Sequence, residues 1–245
     1  MMNRDQPCGG TNQDCRLLGI LLVTVAVMNA CAAGPAPVVI YDSPRIAVRV
    51  QHDPQSGAGH SHPVSLTPGQ IIRALSGMRV SMRDPFGLGG LFQGTEAVPV
   101  FSPAEIAVLA PYLVQAFKKA TSKDLVTVYS LTADRERGKL ITSGGMFVRT
   151  GRLYIILANF QTPPSAGPFE GVAYELDYRD EPMQPIARYR FAVGFSPSEA
   201  RIPNSSVRGE DGYAGYVDEA KQLVIDLPRL LGGTNPSPTT PSPGH

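Results

Sequence analysis

Four side chains able to ligate a metal or carry a proton lie close together in the chain: His52, Asp53, His60 and His62. Three of the four histidines of the sequence are in this segment. With His60-Ser61-His62 extended, both imidazoles project to the same side, because side chains two residues apart share a face. His52 or Asp53 could then complete a Zn or Cu site of nitrogen and oxygen donors. The segment also contains Gly57 and Gly59, and a solvated glycine-rich loop whose histidines have no task accounts for the same pattern. Other chemistry is thinner. Ser143 lacks the Gly-x-Ser-x-Gly elbow that exposes a nucleophile, and there is no His-Glu-x-x-His, phosphate loop or dinucleotide fingerprint. Glu175 and Asp177 could be imagined as an acid and base pair. On an exposed strand face with arginines opposite, they read as structural. Arg149, Arg152, Arg188 and Arg190 could attract an anionic glycan or lipid headgroup, although the mixed charge around them describes a solvated face.

The address of the chain is written nearer its start. Arg16 precedes an apolar run from Leu17 to Met28, and small residues lead to Cys31, which is the order of a secretory signal's charged, apolar and cleavage regions. The segment Met28-Asn29-Ala30-Cys31 resembles the lipobox of bacterial lipoproteins. That resemblance implies cleavage before Cys31, a thioether-linked, palmitate-type lipid on its sulfur, and attachment to the membrane through that lipid. Ala32 in place of Asp after the cysteine is similar to lipoproteins that proceed to the outer membrane, facing the periplasm. Two other readings stay open. Cleavage after Ala32 at Ala30-Cys31-Ala32 would release a soluble periplasmic or secreted protein. An uncleaved transmembrane helix would have to span with residues 17–33, short of the usual length and interrupted by Asn29.

Composition sets limits. Removing 30 of 245 residues leaves 215, enough to bury a sizeable core. All three cysteines lie at or before Cys31, so the mature chain would hold no disulfide and depend on packing. A net charge of +1 gives no reason to expect nucleic acid or an anionic membrane surface as a partner. With 25 glycines and 23 prolines, the elements must be short and the loops many.

The elements that would position these residues follow from periodicity. Residues 31–43 read as a tether, 44–231 as one domain and 232–245 as a disordered Pro, Ser and Thr tail. Residues 44–51 alternate as a half-buried strand, with Ile46, Val48 and Val50 on one face. Thr67-Pro68-Gly69-Gln70 and Ser102-Pro103-Ala104-Glu105 are capping boxes with proline at the first helical position. They predict a helix ending near Gly77, followed by a strand over 78–82, and a main helix to about Ala120. Ile106, Leu109, Leu113 and Phe117 form the stripe of the main helix, and Pro111 should kink or divide it. Residues 84–99, with Phe86, Leu88, Leu91 and Phe92 among glycines, predict a packed loop or a partner-binding edge.

Residues 125–132, 140–149 and 152–161 predict a meander, with a bulge or a close approach of the main helix at Ser143-Gly144-Gly145. Its second turn should be type I, since a β-branched Thr150 resists positive φ. Alternation over 172–179 and 186–193 predicts a hairpin with Arg179 opposite Ile186, Leu176 opposite Tyr189 and Tyr174 opposite Phe191. A short closing strand is expected at 222–226. The expected fold class is α+β: an antiparallel sheet of five or more strands with two helices packed on one face. The expected function is a membrane-anchored cell-envelope lipoprotein with a noncatalytic binding or scaffolding domain, whose partner is an envelope protein, glycan or lipid. The alternative is a metal-binding or metal-dependent envelope enzyme using His52, His60 and His62.

Overall fold

Both helices start where their capping chemistry dictates. In α1 (Pro68–Gly77) the Thr67 hydroxyl accepts from the Gln70 N–H (3.2 Å), while the Thr67 N–H donates to the Gln70 side chain (2.7 Å). Ser102 and Glu105 repeat the arrangement at α2 (Pro103–Lys119). Each box satisfies amides that have no partner inside the helix. Pro111 does not divide α2, which runs on as one helix with the proline on its exposed side. The computed structural model describes residues 35–57, 59–82, 96–164, 178–187, 190–207 and 219–232. The described residues from Ala36 onward form a single compact unit.

The strands are β1 (Val38–Asp42), β2 (Ile46–His52), β3 (Met78–Met82), β4 (Val98–Pro99), β5 (Asp124–Asp134), β6 (Gly138–Arg149), β7 (Arg152–Thr162), β8 (Phe191–Phe195), β9 (Arg201–Ile202) and β10 (Gln222–Asp226). Seven form an antiparallel sheet in the order β1-β2-β5-β6-β7-β10-β9, and β4-β3-β8 form a second, smaller one. Two one-turn helices, α3 (Asn204–Val207) and α4 (Leu227–Leu230), complete the α+β fold. One face of the large sheet presents Val48, Val126, Val128, Met146, Ile155 and Leu223. Helix residues Leu109, Leu113 and Phe117 pack there together with Met78, Val80 and Phe191 of the smaller sheet in one continuous core. The other face carries two smaller clusters, around Phe147, Tyr154 and Ile156 and around Tyr129, Ile141 and Ile186. Such double coverage explains why Tyr154 to Ala158 has no polar alternation.

Three sequence expectations change, and a fourth lies mostly outside the described residues. The tether is shorter than residues 31–43, because Val38–Asp42 is the edge strand β1, bulged between Val39 and Tyr41. The β6–β7 connection has positive φ at both Thr150 (48°) and Gly151 (74°), the signature of a type I′ turn, not type I. Its twist matches the flanking strands, and the Thr150 N–H is held by the Ser61 hydroxyl (3.1 Å), so tertiary structure overrides the preference of the β-branched residue.

The predicted hairpin partly lies outside the described residues, since 171–177 and 188–189, with Leu176, Tyr174 and Tyr189, are not described. Within the described part, residues 178–187 form turns, the strand begins only at Phe191, and Phe191 is in register with Met82 of β3. Ile186 is instead held against β7. The buried Asn159 side chain accepts from the Ile186 N–H (2.8 Å) and donates to the Gln184 carbonyl (2.8 Å) and the Ser143 hydroxyl (2.9 Å). Finally, the irregularity at Ser143-Gly144 is real, but the extra residues are on β7, and β7 itself makes the close approach to Gly144.

Candidate functional site

The histidine segment finishes the sheet where β5 gives out. Pairing of β5 with β6 ends at Val126 opposite Met146, while β6 continues to Arg149. Val148 is thereby left with a free edge, and an unpaired buried amide would be costly. The segment after β2 fills that place. The Ser61 N–H donates to the Val148 carbonyl (2.7 Å), and the Val148 N–H donates to Nε2 of His62 (3.1 Å). On the β5 side, the Asp53 and His60 amides donate to the carbonyls of Lys123 (2.8 Å) and Ser122 (2.7 Å). Gly57 and Gly59, both at positive φ, allow the tight path between these contacts.

Of the four chemistry-bearing side chains of this segment, three are therefore withdrawn from solvent. Asp53, His60 and His62 are 1%, 5% and 8% exposed, and only His52, at the end of β2 opposite Asp124, has an exposed side chain. Nε2 of His60 lies 2.8 Å from Oδ2 of Asp53, both side chains fully enclosed, and Oδ1 of Asp53 accepts from the Gln55 N–H (2.8 Å). Arg149 approaches from β6: one guanidinium nitrogen donates to the Ser56 carbonyl (2.6 Å) and lies 3.4 Å from Nδ1 of His60. Guanidinium nitrogens only donate, so Nδ1 of His60 is the acceptor and its proton is on Nε2, directed at Asp53. Phe147 stacks on the His60 ring (4.1 Å) and Tyr154 on Phe147 (4.7 Å), closing the site from the core side.

An aspartate orienting an imidazole is half of a nucleophile-activating triad. Here the second ring nitrogen faces an arginine in place of a nucleophile, and the ring is shielded from any substrate. The arrangement can neutralise buried charge and fix a loop. It has no atom available to attack or to be attacked.

His62 is engaged differently. Its ring stacks on Phe117 (5.5 Å, 5°), and Nε2, accepting from Val148, places the neutral ring's proton on Nδ1. Burial is the main cause that lowers its pKa from 6.5 to about 4, and nearby His60 pushes the same way. Because the folded pKa lies below the unfolded one, the unfolded chain binds the extra proton first. Stability from this group is therefore complete above pH 6.5 and is lost as pH falls towards 4, by about 2 kcal/mol once solvent screening is allowed for. Urea unfolding of wild type and His62→Gln should show it: the variant keeps an acceptor for Val148, and its deficit should shrink between pH 7 and pH 4.5. A constant difference would mean that His62 does not titrate in this way.

The rings of His60 and His62 meet edge-on, with centroids 5.8 Å apart. Among the described residues no group of three His, Cys, Asp or Glu side chains comes together to hold a metal ion, and of His52, His60 and His62 the last two are buried while His52 is exposed. Sequence reasoning missed Arg149 and Ser56 as partners of this loop. The available signal was Asp53 two residues before Gln55, an Asx-turn pattern that marks Asp53 as a loop organiser.

Of the other candidates, Glu175, Asp177 and Arg188 lie outside the described residues, as do residues 83–95 of the apolar loop; its flanks Met82 and Val98 are exposed. Ser143 is buried against Asn159. A cleft of about 740 Å³ opens beside α1 and α4, lined by Arg73, Ser76, Ser196, Glu199, Arg229 and Leu230. Arg229 is turned towards Asp226 (3.5 Å).

The class that fold and site define is an α+β domain with a two-sided sheet, stapled at one end by a buried Asp-His-Arg cluster. Comparisons with protein-family models, curated proteins and solved structures found no match. Among the described residues no helix is long and apolar enough to cross a membrane.

Proposed function

We propose that this chain is a lipid-anchored protein of the bacterial cell envelope, outer membrane facing the periplasm, whose domain binds or scaffolds and does not catalyse. The observation that carries the noncatalytic half is the use made of the chemistry-bearing residues. Asp53, His60, His62 and Arg149 are committed to buried contacts within the fold and leave no reactive atom facing a cleft. The anchoring half rests on the lipobox-like Met28-Asn29-Ala30-Cys31 and on the exposed residues 35–39 that lead into β1. The partner is an envelope protein, glycan or lipid component.

The test is processing and fractionation. Wild type should be recovered in the membrane fraction with a mass that places a lipid on Cys31 as the first residue. Cys31→Ala should remain unprocessed or become soluble. A Cys31→Ala protein that is still processed and still fractionates with membranes would remove the lipid-anchor reading.

A further inference from the structure

The anchor would be tied to a particular end of the domain, and that end carries a group of exposed lysines with no ion-pair partner among the described residues. Cys31 and Val38 are separated by seven residue steps, which reach at most about 25 Å when fully extended. Val38 opens β1 opposite Val50, two residues before the end of β2 at His52. His52 in turn is opposite Asp124, where β5 begins. The same end receives the last turn of α2 and the turn joining it to β5, so Lys118, Lys119 and Lys123 lie beside the point where the tether enters the domain. All three are exposed, and none is in an ion pair among the described residues. The nearby carboxylates are occupied: Asp124 accepts from the Thr121 N–H (2.7 Å) and hydroxyl (2.6 Å), and Asp53 is enclosed with His60. The opposite end of the sheet, at the β5–β6 tip, alternates Asp134, Arg135, Glu136 and Arg137 and presents no single sign of charge.

We propose that Lys118, Lys119 and Lys123 form a basic rim that rests on the anionic phospholipid headgroups of the membrane holding the anchor. This rests on the lipid-anchored reading above. It adds an orientation, with the α2 C-terminal end towards the bilayer and the β5–β6 tip away from it. A net charge of +1 conceals the rim, because the rest of the chain balances it. Basic side chains within a Debye length of an anionic leaflet are held to it, each shifting the balance by about fivefold, and salt weakens the attraction. Exposed Val38 and Val39, 49% and 53% accessible, lie on the same approach and are suited to the headgroup boundary.

Lysine reactivity reads the orientation. The processed chain, purified from bacterial membranes, is placed on vesicles of phosphatidylglycerol with phosphatidylcholine or of phosphatidylcholine alone, and acetylated with an N-hydroxysuccinimide ester before peptide mass analysis. On anionic vesicles, Lys118, Lys119 and Lys123 should react about fivefold or more slowly relative to exposed Lys139. The protection should vanish on neutral vesicles or in about 0.5 M salt. A chain that floats with both vesicles yet shows equal reactivity at all four lysines overturns the basic rim and leaves the anchor standing. A chain that floats with neither overturns the anchor and the rim together.

Discussion

Replacing Asp53 with alanine should remove about 3–5 kcal/mol of folding stability, because it takes the carboxylate from the fully enclosed His60 ring and one charge from the buried Asp-His-Arg cluster. The Asp53 and His60 side chains have no exposed surface, and Arg149 is 5% exposed. Taking one charge from such a group exposes the desolvation cost of the other without returning it to water. The effect should spread beyond the cluster. Asp53 also holds the Gln55 amide, and the loop it shapes supplies the Val148 edge with its carbonyl and amide partners. Urea unfolding at pH 7 measures the loss, and Asp53→Leu combined with Arg149→Met should recover a good part of it, since an apolar replacement removes both charges together. A catalytic dyad would behave in the opposite sense. Active-site residues are held at some cost to the fold, and their removal commonly stabilises. A loss below about 1 kcal/mol would therefore reopen a chemical role for the cluster.

The contrast between the legible and the illegible parts of this site is physical. Capping boxes at Thr67 and Ser102 could be read because a cap satisfies amides three residues away, so cause and effect lie in the same short string. The last strand of the meander could be read because burial on both faces leaves no polar alternation over Tyr154 to Ala158. The histidine loop could not. His62 serves an amide 86 residues away and His60 an arginine 89 residues away, and no local pattern announces either. Three histidines close together in a glycine-rich segment suggested a metal or nothing, whereas the sheet edge that needs them is visible only once β5 is seen to stop early.

The register expected for the hairpin of 172–179 with 186–193 lies for the most part outside the described residues. Facing charges over 172–190 suggested a paired ribbon, a contribution of at most about a few tenths of a kcal/mol per exposed pair. The segment after Tyr178 is placed instead by Asn159 and by Arg49, which bonds Asp180 and Asp42.

Gly144→Ala should destabilise by about 3 kcal/mol or more, although the backbone there needs no positive φ. A Cβ at this position would overlap the Ile156 carbonyl oxygen and come within 3.1 Å of the Leu157 Cα. Both obstacles are backbone atoms of β7 in the middle of the sheet, so relief requires separating two central strands. Neighbouring glycines give the controls. At Gly145 the added Cβ meets the Leu125 side chain (2.6 Å) and the Met183 sulfur (2.8 Å), flexible ends that can move, so Gly145→Ala should cost less. At Gly138 nothing lies within 4 Å, and the cost is the left-handed backbone alone (φ 76°), about 1 kcal/mol. Urea midpoints at constant slope should rank the variants Gly144, Gly145, Gly138 from most to least damaging. Were Gly144→Ala no worse than Gly138→Ala, β7 would not be as close to β6 as described. The bulges that set Ser143 opposite Asn159, and through Asn159 hold residues 184–186 on the sheet, would then need another cause.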